Sequence, residues 1–218
     1  MIGIVVAMES EAVSVTDKII ISENREVAGK KCIVGTLSGK ETAIIVSGIG
    51  KVNAAIATQA LIDRFHPAYI INFGTCGGTD SSVKVLGYYI VEKCAQYDFD
   101  LSELDGVPVG YIQDYNTVFF DTFIPDNITL PRGIIASSDR FNNGKEDIDT
   151  INAMGANLKD MEAGAVAQVC RANNVRLIMI KGVTDVYGNK TMQEQFRDNL
   201  LTVRNGFYNV LNDLVSKI

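Results

Sequence analysis

Short apolar runs punctuate this chain at 2–7, 31–37, 42–46, 69–73, 87–91, 133–136 and 176–181. Several are continuous rather than alternating, as strands buried on both faces read. The runs at 31–37 and 42–46 are separated by a segment containing Ser38-Gly39-Lys40, which predicts a hairpin. The sheet is therefore expected to be mixed rather than purely parallel. The run from Leu177 reads as a buried strand that ends near Lys181 and passes into a polar turn, Gly182-Val183-Thr184-Asp185.

Helical spacing fills the gaps between these runs. In 50–65, Val52, Ala55, Ile56 and Ile62 are expected to share one buried face. His66-Pro67 ends that helix, because proline disfavours helical backbone at the residue before it, and His66 becomes a surface loop residue. A final helix over about 193–216 carries the stripe Phe196, Leu200, Val203, Phe207, Val210 and Leu214. A third helix, 161–172, is small and apolar nearly all round and is expected to be buried, with Asp160 and Glu162 at its first turn. The stretch 95–131 is irregular and holds three of the four prolines, which suits a pocket wall or a subunit contact. No repeat or linker divides the chain. One α/β domain spanning 1–218 is the preferred organisation.

Composition narrows the function classes. The chain has 218 residues, 47% hydrophobic and 21% charged, enough for a full-sized core. A net charge of −6 argues against a nucleic-acid surface, though not against a small nucleoside ligand. No apolar run approaches a membrane span, and the opening residues read as a first core strand rather than a leader peptide. Cys32, Cys76, Cys94 and Cys170 are scattered and the single histidine is His66, so neither a metal nor a cofactor is expected. Reduced thiols fit a cytoplasmic protein.

Four segments hold candidate chemistry. Glu9 and Glu11 follow the first strand; the alternative reading is an acid-rich helix start. Asn72-Phe73-Gly74-Thr75-Cys76-Gly77-Gly78 follows a core strand, and its glycines allow close backbone approach to a ligand. Glu162 either faces a cavity or simply complements a helix dipole. Asp185 either caps the next element or is an acid at the carboxyl end of a core strand, where open α/β sheets bind ligands. Jointly, carboxylates and glycines at separate strand ends suit glycosidic chemistry: one acid protonates a leaving group, another activates water, and a third holds sugar hydroxyls.

The segments IGIVVAMESEA, SGIGKVNAA, NFGTCGG, DMEAGAVAQVC and KGVTDV, in this order from Ile2 to about Val186, resemble the 5′-methylthioadenosine/S-adenosylhomocysteine nucleosidases of the purine nucleoside phosphorylase-like superfamily. The resemblance implies a three-layer α/β/α domain with a central mixed β-sheet. It also implies hydrolysis of the N-glycosidic bond of adenine thionucleosides with release of adenine. Asp185 would deliver or stabilise the proton on the leaving base, placed by Thr184. Glu11 and Glu162 would hold the attacking water, Glu162 also the ribose hydroxyls, with Met161 under the sugar. Thr75, Cys76 and Gly77 would floor the site, Met8 and Ile49 would give apolar contacts, and Phe141 would stack on the base while the backbone of Asn142 reads its edge. Phe196 would close over the 5′ side. A 5′ pocket shared with a neighbouring subunit implies a homodimer.

Two departures from the family pattern stand out. Lys181 replaces a common arginine, and AQYDFDLSEL replaces a segment that often carries a His-Asp pair, which leaves the 5′-substituent open. Two alternatives remain: a phosphorylase of the same fold, against which the absence of arginines beside the glycine turn and after strand one speaks, and a non-catalytic nucleoside-binding module.

Overall fold

In the first strand, β1 (Ile2–Val6), every residue is buried, and the two faces serve different cores: Val5 joins one, while Ile2, Ile4 and Val6 join the other. That two-sided burial is why the run is continuously apolar. The computed structural model describes residues 1–141, 144–188 and 191–218. After β1 come α1 (Glu9–Thr16), β2 (Ile20–Val27), β3 (Lys30–Leu37), β4 (Lys40–Val46), α2 (Lys51–Phe65), β5 (Tyr69–Gly78), β6 (Tyr88–Gln96) and the short α3 (Ser102–Asp105). Then follow β7 (Phe120–Asp121), β8 (Arg132–Ser137), α4 (Lys145–Ala153), β9 (Leu158–Asp160), α5 (Ala163–Ala172), β10 (Arg176–Val186) and α6 (Met192–Ser216).

The strands form one mixed sheet. β1 lies parallel between β4 and β5, and β2, β3 and β4 pair antiparallel as the hairpin pattern predicts. At its other end the sheet curls into a ring: β5 pairs with β10, β10 with β6, β6 with β8, β8 with β9, and β9 returns to β5. One core is roofed by Ala54, Ala57 and Leu61 of α2 and Ala163, Val166 and Cys170 of α5. The opposite core is roofed by Ala12 and Val15 of α1 and Val203, Phe207, Leu211 and Leu214 of α6. This is the three-layer α/β/α arrangement.

Several local expectations need correction. The buried face of α2 is Ala54, Ala57, Thr58, Leu61 and Ile62, while Val52 and Ile56 are 70% and 45% exposed. Small alanines win the inner face because they let the helix axis approach the sheet closely. Strand β2 escapes the apolar pattern because it is a mostly exposed outer strand, Ile-Ile-Ser-Glu-Asn-Arg-Glu-Val. The helix expected from 161 begins at Ala163, and Asp160 belongs to β9. β10 does not turn after Lys181 but continues to Val186. His66 is an exposed, left-handed C-cap of α2, as its place before Pro67 implies.

Candidate active site

β5 and β10 run parallel, and at one end of the ring β5 finishes in Thr75-Cys76-Gly77-Gly78 and β10 in Thr184-Asp185-Val186. Their register slips between Val183 and Asp185, so Val183 faces Cys76 and Asp185 faces Gly77, with Thr184 as the extra residue. A bulge of this kind re-aims the side chains that follow it. Asp185 is thereby placed in a buried position, 2% exposed, where the Thr184 hydroxyl donates to its Oδ1 at 2.7 Å. Burial pushes the Asp185 carboxyl above its ordinary range, against the opposing pull of that hydroxyl and of Lys159. Gly77 permits the fit: a Cβ there would meet Asp185 Oδ2 at 2.8 Å.

Glu11 arrives from the first turn of α1 and is 1% exposed. Its Oε1 accepts from the Thr75 amide at 2.7 Å and the Thr75 hydroxyl at 2.9 Å. Its Oε2 accepts from the Met8 amide at 3.2 Å, so the side chain also caps its own helix. Desolvation still prevails and raises its pKa, although the Thr75 bonds and the charge of Lys181 favour the carboxylate.

Glu162 is the N-cap residue of α5, and its Oε1 accepts from the Gly50 amide at 2.9 Å. Gly50 has φ +99°, a conformation open to glycine at little cost, and this turns its N–H toward the carboxylate. Burial, then the neighbouring Asp160 charge, raise Glu162 to about 7. Asp160 itself is held three ways. It accepts from the Ser137 hydroxyl at 2.6 Å and from the Ala163 amide, and it pairs with Lys181 Nζ at 2.8 Å. Both side chains of that ion pair are 2% exposed. Burial alone would depress Lys181, but Asp160 and Glu162 outweigh it and hold the ammonium above its ordinary value. Lysine thus meets the charge demand at this position through a single donor rather than a guanidinium fork.

Glu11, Glu162 and Asp185 line a single cleft of about 690 Å³, counted to its open mouth. Met8, Ile49, Thr75, Cys76, Gly77, Phe141, Met161, Thr184 and Phe196 line the same cleft. Phe141 and Phe196 meet edge to face with ring centres 5.4 Å apart, making an aromatic wall. Asn142 lies outside the described residues. Lys159 and Arg140, which have no role in the sequence reading, also line the cleft, as does Asp160, which the sequence places in the first turn of a helix and which lies instead on β9. Lys159 gave no signal, being one polar residue in a run without period.

Known proteins share this layout. A family model described as the phosphorylase superfamily matches residues 1–216. A 5′-methylthioadenosine/S-adenosylhomocysteine nucleosidase of Oceanobacillus iheyensis is 32% identical over 228 aligned positions, covering 100% of this chain and 99% of that protein. The corresponding nucleosidase of Bacillus cytotoxicus is 33% identical over 87% of each chain. The crystal structure of such a nucleosidase from Colwellia psychrerythraea, in complex with adenine, superposes with a TM-score of 0.87 at 30% identity, covering 99% of this chain and 95% of that one. Futalosine hydrolase of Helicobacter pylori shares the fold at a TM-score of 0.90 and 24% identity, over 100% of this chain and 97% of its own. The chain belongs to the phosphorylase superfamily and, within it, to the 5′-methylthioadenosine/S-adenosylhomocysteine nucleosidase family.

Proposed function

We propose that this protein hydrolyses the N-glycosidic bond of adenine nucleosides such as 5′-methylthioadenosine and S-adenosylhomocysteine, releasing adenine. The observation that carries this reading is the convergence of Glu11, Glu162 and Asp185, from three distant segments, on one cleft. Adenine is a poor leaving group as an anion, so the decisive step is its protonation. Burial raises the Asp185 carboxyl above its ordinary range, which favours the protonated form that such an acid needs. Water is activated between Glu11 and Glu162, and Glu162 also holds ribose hydroxyls. The anionic pair stabilises the oxocarbenium-like transition state as the bond to the base breaks.

Hydrolysis is favoured over phosphorolysis by the charge at the sugar end. The cation coupled to both Glu11 and Glu162 is Lys181, and Asp160 already neutralises it. An incoming phosphate dianion would face carboxylates rather than a free guanidinium. The setting we infer is cytoplasmic nucleoside catabolism and methionine salvage, in keeping with four free, buried cysteines. We also infer a homodimer, supported by the exposed apolar residues Val52 and Ile56 on α2 and Leu104 on α3. None of the helices described is long and apolar enough to cross a membrane.

The test is Asp185→Asn. Asparagine keeps the shape but cannot carry the proton, so adenine release falls by about 10²–10⁴-fold while the thermal midpoint holds. Turnover near that of the unmodified enzyme removes Asp185 from the acid role.

A further inference from the structure

Asp139 does not line the cleft, yet it ties together two of the segments that build it. It lies two residues beyond β8 and two before Phe141 of the aromatic wall. Its Oδ1 accepts from the Lys51 amide at 2.7 Å, so it caps the first turn of α2 from another part of the chain. The preceding amide, that of Gly50, donates to Glu162 Oε1 at 2.9 Å. Two successive N–H groups thus go to two carboxylates from separate segments. Gly50 makes this splay possible through its φ of +99°. A Cβ on Gly50 would also meet Asp139 Oδ1 at 3.0 Å, so the bare backbone lets the carboxylate close on the helix end.

Asp139 is itself held in place. Its amide donates to Asp98 Oδ2 at 3.1 Å, and Asp98 Oδ1 accepts from Lys51 Nζ at 2.6 Å. Lys51, Asp139 and Asp98 therefore close a ring in which Lys51 donates from both its backbone and its side chain. The Lys51–Asp98 pair is mostly shielded, each side chain 18% exposed. The neighbouring Ser138 hydroxyl donates to the Tyr97 hydroxyl at 2.6 Å, and the Ser138 amide to the Asp160 carbonyl at 3.2 Å. Capping alone would be served by a polar side chain at the N-cap position, which here is Gly50. The cap comes instead from the loop that carries Phe141. While that bond holds, the helix end beside Glu162 and the aromatic wall move together.

We propose that Asp139 is a positioning residue for the reaction: by holding the Lys51 amide it keeps the Gly50 amide on Glu162 and sets Phe141 at a fixed distance from that carboxylate. The inference rests on the reading of Glu162 and Phe141 as the groups that hold sugar and base. An adenine nucleoside spans both, its base at the Phe141 ring and its ribose at Glu162. The separation of the two contacts must match the ligand, and a misplacement of about 1 Å can cost about 10²-fold in rate.

The experiment compares the unmodified enzyme with Asp139→Ala and Asp139→Asn. kcat and KM for 5′-methylthioadenosine are read between about pH 5 and 9, beside the melting temperature. Alanine removes the acceptor, and asparagine keeps a neutral one in the same place. Asp139→Ala is expected to lower kcat/KM at neutral pH by about 10-fold or more, and Asp139→Asn to recover most of it. Asp139 is exposed, so the melting temperature should fall by about 2–4 °C, as for loss of a helix cap. The acid limb of kcat/KM should move to higher pH in Asp139→Ala and stay in place in Asp139→Asn. The groups that face Glu162 are Asp160, Lys181, Glu11 and the Gly50 amide, and the substitution releases the amide; a carboxylate that loses a donor ionises less readily. Unchanged kcat/KM in Asp139→Ala, an acid limb that does not move, or equal losses in both variants overturns the inference. Should Asp139→Ala not fold, Asp139→Ser takes its place with the same expected outcomes, its hydroxyl being one bond short of the Lys51 amide. Absence of adenine release by the unmodified enzyme would sink the nucleosidase reading itself, a distinct outcome from any of these.

Discussion

At the scale of the residue, each carboxylate in the cleft reflects a balance between desolvation and a small set of donors. Glu11 has three donors and is still raised, which shows how complete its burial is. Glu162 has one amide donor and two carboxylate neighbours, and it stands at about 7 against an ordinary 4.5. A folded-state pKa above the unfolded one means that the folded protein binds the proton more tightly. Stability linked to Glu162 is thus fully present below about pH 4.5 and is lost as pH rises through about 7. Glu162→Gln cannot ionise, and its amide oxygen can still accept from Gly50. The variant should raise the thermal midpoint at about pH 8 and leave it nearly unchanged at about pH 4.5. Melting curves at the two pH values check this; an equal shift at both would show that ionisation is not the cause.

At the scale of the element, the site is made where β5 and β10 run out of ordinary register. The bulge at Thr184 and the bare backbone of Gly77 together set the place of Asp185. Gly77→Ala should therefore act through catalysis more than through stability. The atoms its Cβ would meet are side-chain ends of Asp185, Lys159 and Met192, two of which can move aside. Asp185 cannot move without leaving its working position, and a displacement of about 1 Å can cost about 10²-fold in rate. kcat for adenine release, measured beside the melting temperature, separates the two effects. A large loss of stability with normal kcat in the folded fraction would contradict this account. The same elements show how far the sequence could be read. The apolar runs of β1, β4, β5 and β10 stand out because burial on both faces leaves few polar positions, Thr42, Asn72 and Lys181 among them. The ends of β5 and β10 do not, because Gly74 to Gly78 and Gly182 to Asp185 have turn composition although they continue the ladder. Their pairing to each other, across about a hundred residues, satisfies backbone groups that local propensity would assign to a loop. β9 is only Leu158–Asp160, too short to carry a period, and so Lys159 gives no signal and Asp160 reads as part of a helix start rather than of a strand.

At the scale of the whole molecule, one sheet has two uses. Its open end runs through β4 and β3, buried over their central residues, out to the mostly exposed β2, and its closed end gathers the ends of β5 and β10 around the cleft. The outer face of α2 is apolar in its first half, where Val52 and Ile56 are exposed, and charged at its end, with Asp63 and Arg64. If that face joins two copies, Val52→Glu together with Ile56→Lys should convert a dimer into a monomer by light scattering, with far-UV circular dichroism unchanged. An unmodified protein that is monomeric at assay concentration and fully active would refute the shared assembly. The central claim, that carboxylates from three distant segments protonate a leaving purine and direct water at the sugar, has one most direct measurement. Purified enzyme is incubated with 5′-methylthioadenosine in the presence and absence of inorganic phosphate, and the released base and sugar are identified. The account predicts adenine and free 5-methylthioribose at the same rate in both; a phosphate requirement with a sugar 1-phosphate product, or no release of adenine, would contradict it.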